Sequence, residues 1–405
     1  MKKVSALTIA LSCLLWITSL SASACTSVIV SGKATTDGRP LLFKNRDTGT
    51  LENRMLVVHG QRFRYVGLVN TADTLAESVW GGHNEAGFAI INTAAYNLNG
   101  DEGDTEGDGI LIRKALSLCA TVEDFETLLD TIAKPRQVNS NFGVLDAHGC
   151  CAYFETGHYK YVKFDVNDPT VAPDGYLMRT NFGTTGNHLL DQGVERYCAI
   201  TDYMTAAAGE GKFEATRLLT GIPRYFTHGL TKWKMEDFMP ATEHNTQMFP
   251  ISDYITRYST ASAILVQGVL PHEKPENTVS WVIIGSPMTA VAVPALLLPS
   301  EKLPKMLGDD GTGRAQLNTL SLTLKERIFS LQRGNTKAYI DLSKLMNRAQ
   351  TGTVQLLQPV EQEVVKKGVE NIEKLRKKRD FKAIESYYKW VDEYLAAQYR
   401  QLFGI

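Results

Sequence analysis

The chain has 405 residues, a formal net charge of −1, and hydrophobic and charged fractions of 43% and 21%. That balance suits a globular enzyme with a sizeable core. It excludes a general nucleic-acid or anionic-membrane surface, which needs a basic excess.

In chain order, Met1-Lys2-Lys3, an apolar run from Ala6 to Leu20 and the small residues Ala22-Ser23-Ala24 read as a signal peptide over residues 1–24. The apolar run is short for a bilayer span, and no later segment approaches that length, so no integral membrane segment is expected after cleavage. The expected product is an exported protein, periplasmic or extracellular, that begins at Cys25. A lipidated Cys25 on a surface binding lipoprotein is the rival reading. It is disfavoured because Ala22 stands where a leucine usually precedes a lipidated cysteine.

No Pro-, Gly- or Ser-rich linker follows, so residues 25–300 are expected as one domain and residues 301–405 as a helical extension packed on it. Five cysteines remain after cleavage, an odd number that leaves at least one thiol unpaired. The pairing among Cys119, Cys150, Cys151 and Cys198 stays open. No C-x-x-C or H-x-x-H spacing occurs, and no metal or other cofactor is expected.

From Thr26 a β-prone run leads through Thr36-Asp37-Gly38-Arg39-Pro40 into Leu41-Leu42-Phe43, which predicts a hairpin. Folding about Thr36 places Cys25 roughly opposite Asp47. Hairpins are also predicted for Val79-Trp80 with Phe88 to Ile91, and for Phe142 to Leu145 with Cys150 to Phe154; Tyr159 to Phe164 continues the strand-rich middle. Helices are predicted over Ile110 to Cys119 and from Thr121, where Asp124 completes a capping-box pattern. Strands return at Ala261 to Val266, Trp281 to Ile284 and Val291 to Leu298. After Pro304 the pattern is helical to the end, with a stripe of Val365, Val369 and Ile372.

An exposed N-terminal cysteine joins a thiol to an α-amine whose reference pKa is about 7.7–8.0, so one residue supplies both nucleophile and base. Cys25-Thr-Ser-Val-Ile-Val, Lys44-Asn45-Arg46-Asp47, Asn84-Glu85-Ala86-Gly87, Asn141 to Asp146, Thr180-Asn181 and Gly285-Ser286-Pro287 occur in that order. This series resembles the N-terminal-nucleophile cysteine hydrolases, most closely the acyl-coenzyme A:6-aminopenicillanic acid acyltransferase branch. Choloylglycine (bile salt) hydrolases, penicillin V acylases and secreted cysteine dipeptidases belong to the same group.

The resemblance implies an α+β fold, the four-layer αββα sandwich, and roles for named residues. Cys25 would attack the amide carbonyl, and Asp47 would hold its α-amine. The Asn92 backbone N–H and the Asn181 side-chain amide would serve the oxyanion, and Arg257 would support the nucleophile's surroundings. Many relatives carry arginine three places before the aspartate; here Lys44 stands there and Arg46 adjoins Asp47. The two cations are not interchangeable, and on a regular strand they share the face opposite Asn45 and Asp47.

The expected reaction is hydrolysis of a linear amide in an N-acylated small molecule, with an amine acceptor making the enzyme an acyltransferase. A dipeptidase or a bile salt hydrolase would use the same nucleophile. Phe63, Tyr65, Tyr96 and Phe182 are candidate acyl-pocket residues. The acidic run Asp101 to Asp108 reads as a solvated loop, because Ala115 stands where a calcium loop needs glutamate. Lys374 to Lys382 reads as an exposed helix face that leaves homo-oligomer formation open.

Overall fold

The computed structural model describes residues 24–98, 107–331 and 335–405. The signal-peptide reading therefore lies outside the described residues except at Ala24, as do residues 101–106 of the acidic run.

The strands are β1 (Thr26–Val30), β2 (Leu41–Asp47), β3 (Asn53–His59), β4 (Arg64–Asn70), β5 (Gly81–Asn84), β6 (Ala89–Ala94), β7 (Ser140–Leu145), β8 (Cys151–Thr156), β9 (Tyr161–Asp165), β10 (Tyr176–Arg179), β11 (Met248–Pro250), β12 (Thr260–Gln267), β13 (Val279–Ile284), β14 (Val293–Ala295) and β15 (Tyr339–Asp341). The helices are α1 (Asp108–Leu118), α2 (Val122–Thr131), α3 (Val194–Gly209), α4 (Ala215–Gly221), α5 (Gln316–Ile328), α6 (Leu342–Leu345), α7 (Thr353–Lys378) and α8 (Phe381–Phe403).

Two antiparallel sheets stack face to face. One has the order β10-β1-β2-β12-β13-β14; the other is a seven-stranded meander from β3 to β9. Their inner faces meet through Ile29, Leu42 and Ile264 on one side and Leu68, Ile91 and Tyr153 on the other. Both sheets are covered outside, as sheets apolar on two faces must be. Helices α1 and α2 close the meander over Phe88, Phe142 and Phe154. Helices α3, α4, α5 and α7 close the other sheet. The architecture is the αββα sandwich expected.

The capping box at Thr121 and Asp124 opens α2 as read from the sequence. Several other elements differ from expectation. The second hairpin begins at Gly81 rather than Val79. Strand β14 is confined to three residues, and β15, pairing with β11, interrupts the helical C-terminal region. Val365 and Ile372 are buried, but Val369 is 38% exposed at the edge of the stripe. Arg376 turns inward from the basic run and donates to Gln267 Oε1 at 3.1 Å.

Cys119, Cys150, Cys151 and Cys198 form no disulfide among the described residues. Cys119 is buried, and the adjacent Cys150 and Cys151 divide between exposed and buried faces as strand alternation requires. No helix among the described residues is long and apolar enough to cross a membrane.

Candidate active site

The hairpin of β1 and β2 pairs Thr26 with Asn45 and Val30 with Leu41. Continuing that register puts Cys25 opposite Arg46, one place short of the expected Asp47. The reason lies in the connection, where a helical turn at Gly32–Ala34 replaces a tight symmetric turn. Cys25 still reaches Asp47, its Sγ lying 3.9 Å from the aspartate main-chain oxygen.

The Asp47 carboxylate is fully buried and held on both oxygens. Thr260 Oγ1 donates to Oδ1 at 2.6 Å, and Asn45 Nδ2 reaches the same oxygen at 3.3 Å. Arg257 Nε donates to Oδ2 at 2.8 Å. A register shift in β12 between Thr260 and Ser262 sets Thr260 opposite Asp47, the local re-aiming that bulges provide. Arg257 also donates through Nη1 to Ser252 O at 2.7 Å and through Nη2 to Ala24 O at 3.4 Å. The guanidinium thus links the carboxylate to the residue preceding Cys25.

Asn181 is joined to Cys25 by a residue that sequence reasoning missed. Arg196, on α3, donates through Nη1 to Cys25 O at 2.7 Å and through Nη2 to Asn181 Oδ1 at 2.8 Å. Burial lowers the Arg196 pKa, and the positive charge of Arg257 adds to the effect. Gly193, with φ of 76°, precedes α3; a Cβ there would run into the Arg196 guanidinium. The Asn181 amide donates to Ala94 O at 2.9 Å.

Asn141 brackets Asn181 by donating to the carbonyls of Thr180 at 3.2 Å and Phe182 at 3.0 Å. The buried Glu155 ties down the same loop through Arg179 Nε at 2.9 Å and the backbone N–H groups of Thr184 and Thr185.

The other side of β2 faces the meander. Lys44 Nζ donates to Asn92 Oδ1 at 2.7 Å and to Trp80 O at 2.8 Å. Asn92 Nδ2 in turn reaches Asp108 Oδ2 at 3.0 Å and Ser140 Oγ at 3.1 Å. Burial pushes the Lys44 ammonium down to about 8, against the attraction of Cys25. Burial raises the Asp108 carboxyl, opposed by its bonds from Ser140 and Asn92.

Arg46 takes a different direction from Lys44. It bonds Asn53, donates to Asn70 Oδ1 at 2.9 Å, and lies 4.7 Å from the Trp80 ring centre. Burial lowers it to about 10. Lys44 is thus bonded to a proposed site residue, Asn92, whereas these contacts of Arg46 run to residues outside the proposed set.

A cleft of about 590 Å³ opens at Ala24 and is lined by Arg196, Arg257, Tyr258, Thr48, Ser252 and Lys337 among others. The four aromatics expected at an acyl pocket do not line it. Tyr65 is instead packed in the core beneath α1 and α2, because its place on β4 turns it to the meander's outer face. A larger cavity of about 940 Å³, around Arg224 and Glu361, contains none of the proposed site residues. Among the described residues no cluster of His, Cys, Asp or Glu could hold a metal ion.

Two stacked antiparallel sheets between helical layers are the fold of the N-terminal-nucleophile hydrolases. The chain belongs to the acyl-coenzyme A:6-aminopenicillanic acid acyl-transferase family, whose model matches residues 34–245. No curated protein sequence matches it.

Three solved structures are similar to the chain. An N-acylethanolamine-hydrolyzing acid amidase ortholog from Caenorhabditis elegans has 15% identity and a TM-score of 0.39, covering 61% of this chain and 94% of its own. A mutant conjugated bile acid hydrolase from Clostridium perfringens has 13% identity and a TM-score of 0.37, with coverages of 69% and 93%. Penicillin V acylase from Agrobacterium tumefaciens has 13% identity and a TM-score of 0.36, with coverages of 67% and 86%.

Proposed function

We propose that the protein is exported, begins at Cys25 after loss of residues 1–24, and hydrolyses a linear amide of an N-acylated small molecule through a Cys25 acyl-enzyme. Amine acceptors in place of water would give acyl transfer by the same intermediate. The observation that carries this reading is the buried Asp47 carboxylate. It lies beside Cys25, and its partner Arg257 also bonds the carbonyl that cleavage would remove.

With that peptide bond gone, the α-amine of Cys25 takes the thiol proton and the sulfur attacks the amide carbon. The carbonyl electrons move to oxygen, and collapse expels the amine, which takes the proton. Water then attacks the thioester carbon, the C–S bond breaks, the acid is released and the sulfur regains a proton as the thiol. Asp47 holds the ammonium form of the terminus. The Asn92 backbone N–H and the Asn181 amide serve the oxyanion, and Lys44 adds positive charge nearby; a single lost donor of this kind costs about 10²–10³ in rate.

Intact mass of the exported protein, together with release of free amine from N-acyl amino acids, penicillin V, conjugated bile salts and dipeptides, tests the reading. The expected product starts at Cys25, forms a thioester adduct and loses all turnover in Cys25→Ser. A start elsewhere, a diacylglyceryl mass shift, or full turnover in Cys25→Ser overturns it.

A further inference from the structure

Lys325, on α5, is a buried ammonium without a carboxylate. It is 3% exposed, and its Nζ donates to Thr260 O at 3.1 Å while lying 4.8 Å from the centre of the Tyr258 ring. Lys337 lies 5.1 Å from the centre of the same ring. Among the described residues, neither ammonium makes an ion pair.

Both lysines line a cavity of about 480 Å³ whose other walls include Leu51, Leu322, Phe329 and Thr336. Among the described residues its one acidic lining residue, Glu326, is paired with neither. This cavity shares Leu51, Tyr258 and Lys337 with the cleft at Ala24, so the two adjoin.

An ammonium has three donors, and one carbonyl leaves the others to be met from the cavity side. Removing a charge from water without a counter-charge is unfavourable. Burial pushes Lys325 down to about 7, against the pull of Asp47 and with the repulsion of Lys337. An anion between the two lysines reverses that penalty and completes the donors.

We infer that this cavity is a carboxylate subsite: a substrate carboxylate sits between Lys325 and Lys337 while the amide of the same molecule reaches Cys25 through the adjoining cleft. The inference rests on the amide-hydrolase reading and narrows its substrates to N-acyl amides bearing a carboxylate. Both lysines lie beyond residue 245, where the family match ends, so the selectivity belongs to the C-terminal region of this chain.

Equilibrium binding to the exported Cys25→Ala protein tests the subsite without requiring turnover. Two matched pairs serve as probes. N-decanoylglycine against N-decanoylglycinamide places the carboxylate on the amine side, and the butyl monoamide of sebacic acid against its methyl ester places it on the acyl side. In at least one pair the acid is expected to bind about tenfold tighter, the scale of a hydrogen bond to a charged group.

Lys337→Gln, at an exposed position that tolerates substitution, is expected to shrink that gap severalfold, and Lys325→Met to abolish it where the variant folds. Equal binding of acid and neutral probe in both pairs overturns the subsite, as does a gap that survives Lys337→Gln unchanged. Acid-selective binding with no turnover of any amide by the unsubstituted protein leaves the subsite standing and removes the hydrolase reading.

Discussion

Strand β2 carries Asp47 on one face and Lys44 on the other, and the two are held in different ways. On the helix side, Asp47 is neutralised by Arg257 and bonded by Thr260 and Asn45 within the same sheet and its edge. On the sheet side, Lys44 reaches across to the meander and finds the carbonyl oxygens of Asn92 and Trp80, neither of them charged. An ammonium held by neutral oxygens in a dry interior is pushed toward its neutral form. The alternation of one strand thus puts a paired carboxylate on one flank of Cys25 and a titratable positive charge on the other.

The largest expected effect falls on the carboxylate side. Asp47→Asn removes the carboxylate beside the proposed terminal amine and is expected to lower kcat by about 10²–10⁴, the range for a positioned acid–base group. It also strands Arg257, so thermal melting should drop as for a broken buried pair, about 3 kcal/mol. A variant that keeps full rate would remove Asp47 from the proposed chemistry.

The titratable side gives the next effect, and its sign separates activity from stability. The folded-state Lys44 value of about 8 lies below its ordinary 10.5. Between those values the unfolded chain binds more protons, so the Lys44 contribution to stability rises with pH. Its positive charge, which the proposed chemistry uses near the oxyanion, is lost over the same interval. Turnover should therefore fall above about pH 8 while the urea midpoint rises. Lys44→Arg is expected to extend activity to higher pH, and an unchanged alkaline limb would show that the titrating group is another.

A smaller rate effect is expected from Arg196→Met, which releases Cys25 O and Asn181 Oδ1 together. A loss of about tenfold or more in kcat, measured with KM on one substrate, separates positioning of Asn181 from loss of binding. The smallest is Arg46→Gln. Its bonds run to Asn53 and Asn70, so urea unfolding should shift with little change in kcat/KM. A large rate loss there would transfer the cationic role from Lys44 to Arg46.

Much of this was legible where short periods govern. Alternation placed Lys44 and Arg46 on one face and Asp47 on the other, and the capping pattern at Thr121 located α2. The pairing of Cys25 was misplaced by one residue because a long connection containing a helical turn does not obey the midpoint rule of tight hairpins.

Asn141 could be recognised as part of a motif. That it brackets Asn181 became visible only with both strands in place. Asn84 is a different case: it accepts the backbone N–H groups of Ala86 and Phe88 and donates to Leu116 O and Cys119 O, so its motif is architectural. Arg196 and Lys325 left no local signal, since their partners lie far away in the chain and their neighbours carry no periodic or spaced pattern.

The packing of α7 and α8 has a consequence for how the chain can be divided. Trp281 of β13 lies under Gly368, where a methyl group would press on the indole, and Tyr388 and Tyr399 bond the backbone at Leu296 and Thr289. A polypeptide ending at residue 300 would leave that indole and the neighbouring valines wet, and would cluster with its own kind instead of folding. A protein nicked in the exposed Asp309 to Thr312 loop would keep every one of these contacts, so excision and scission should have opposite fates.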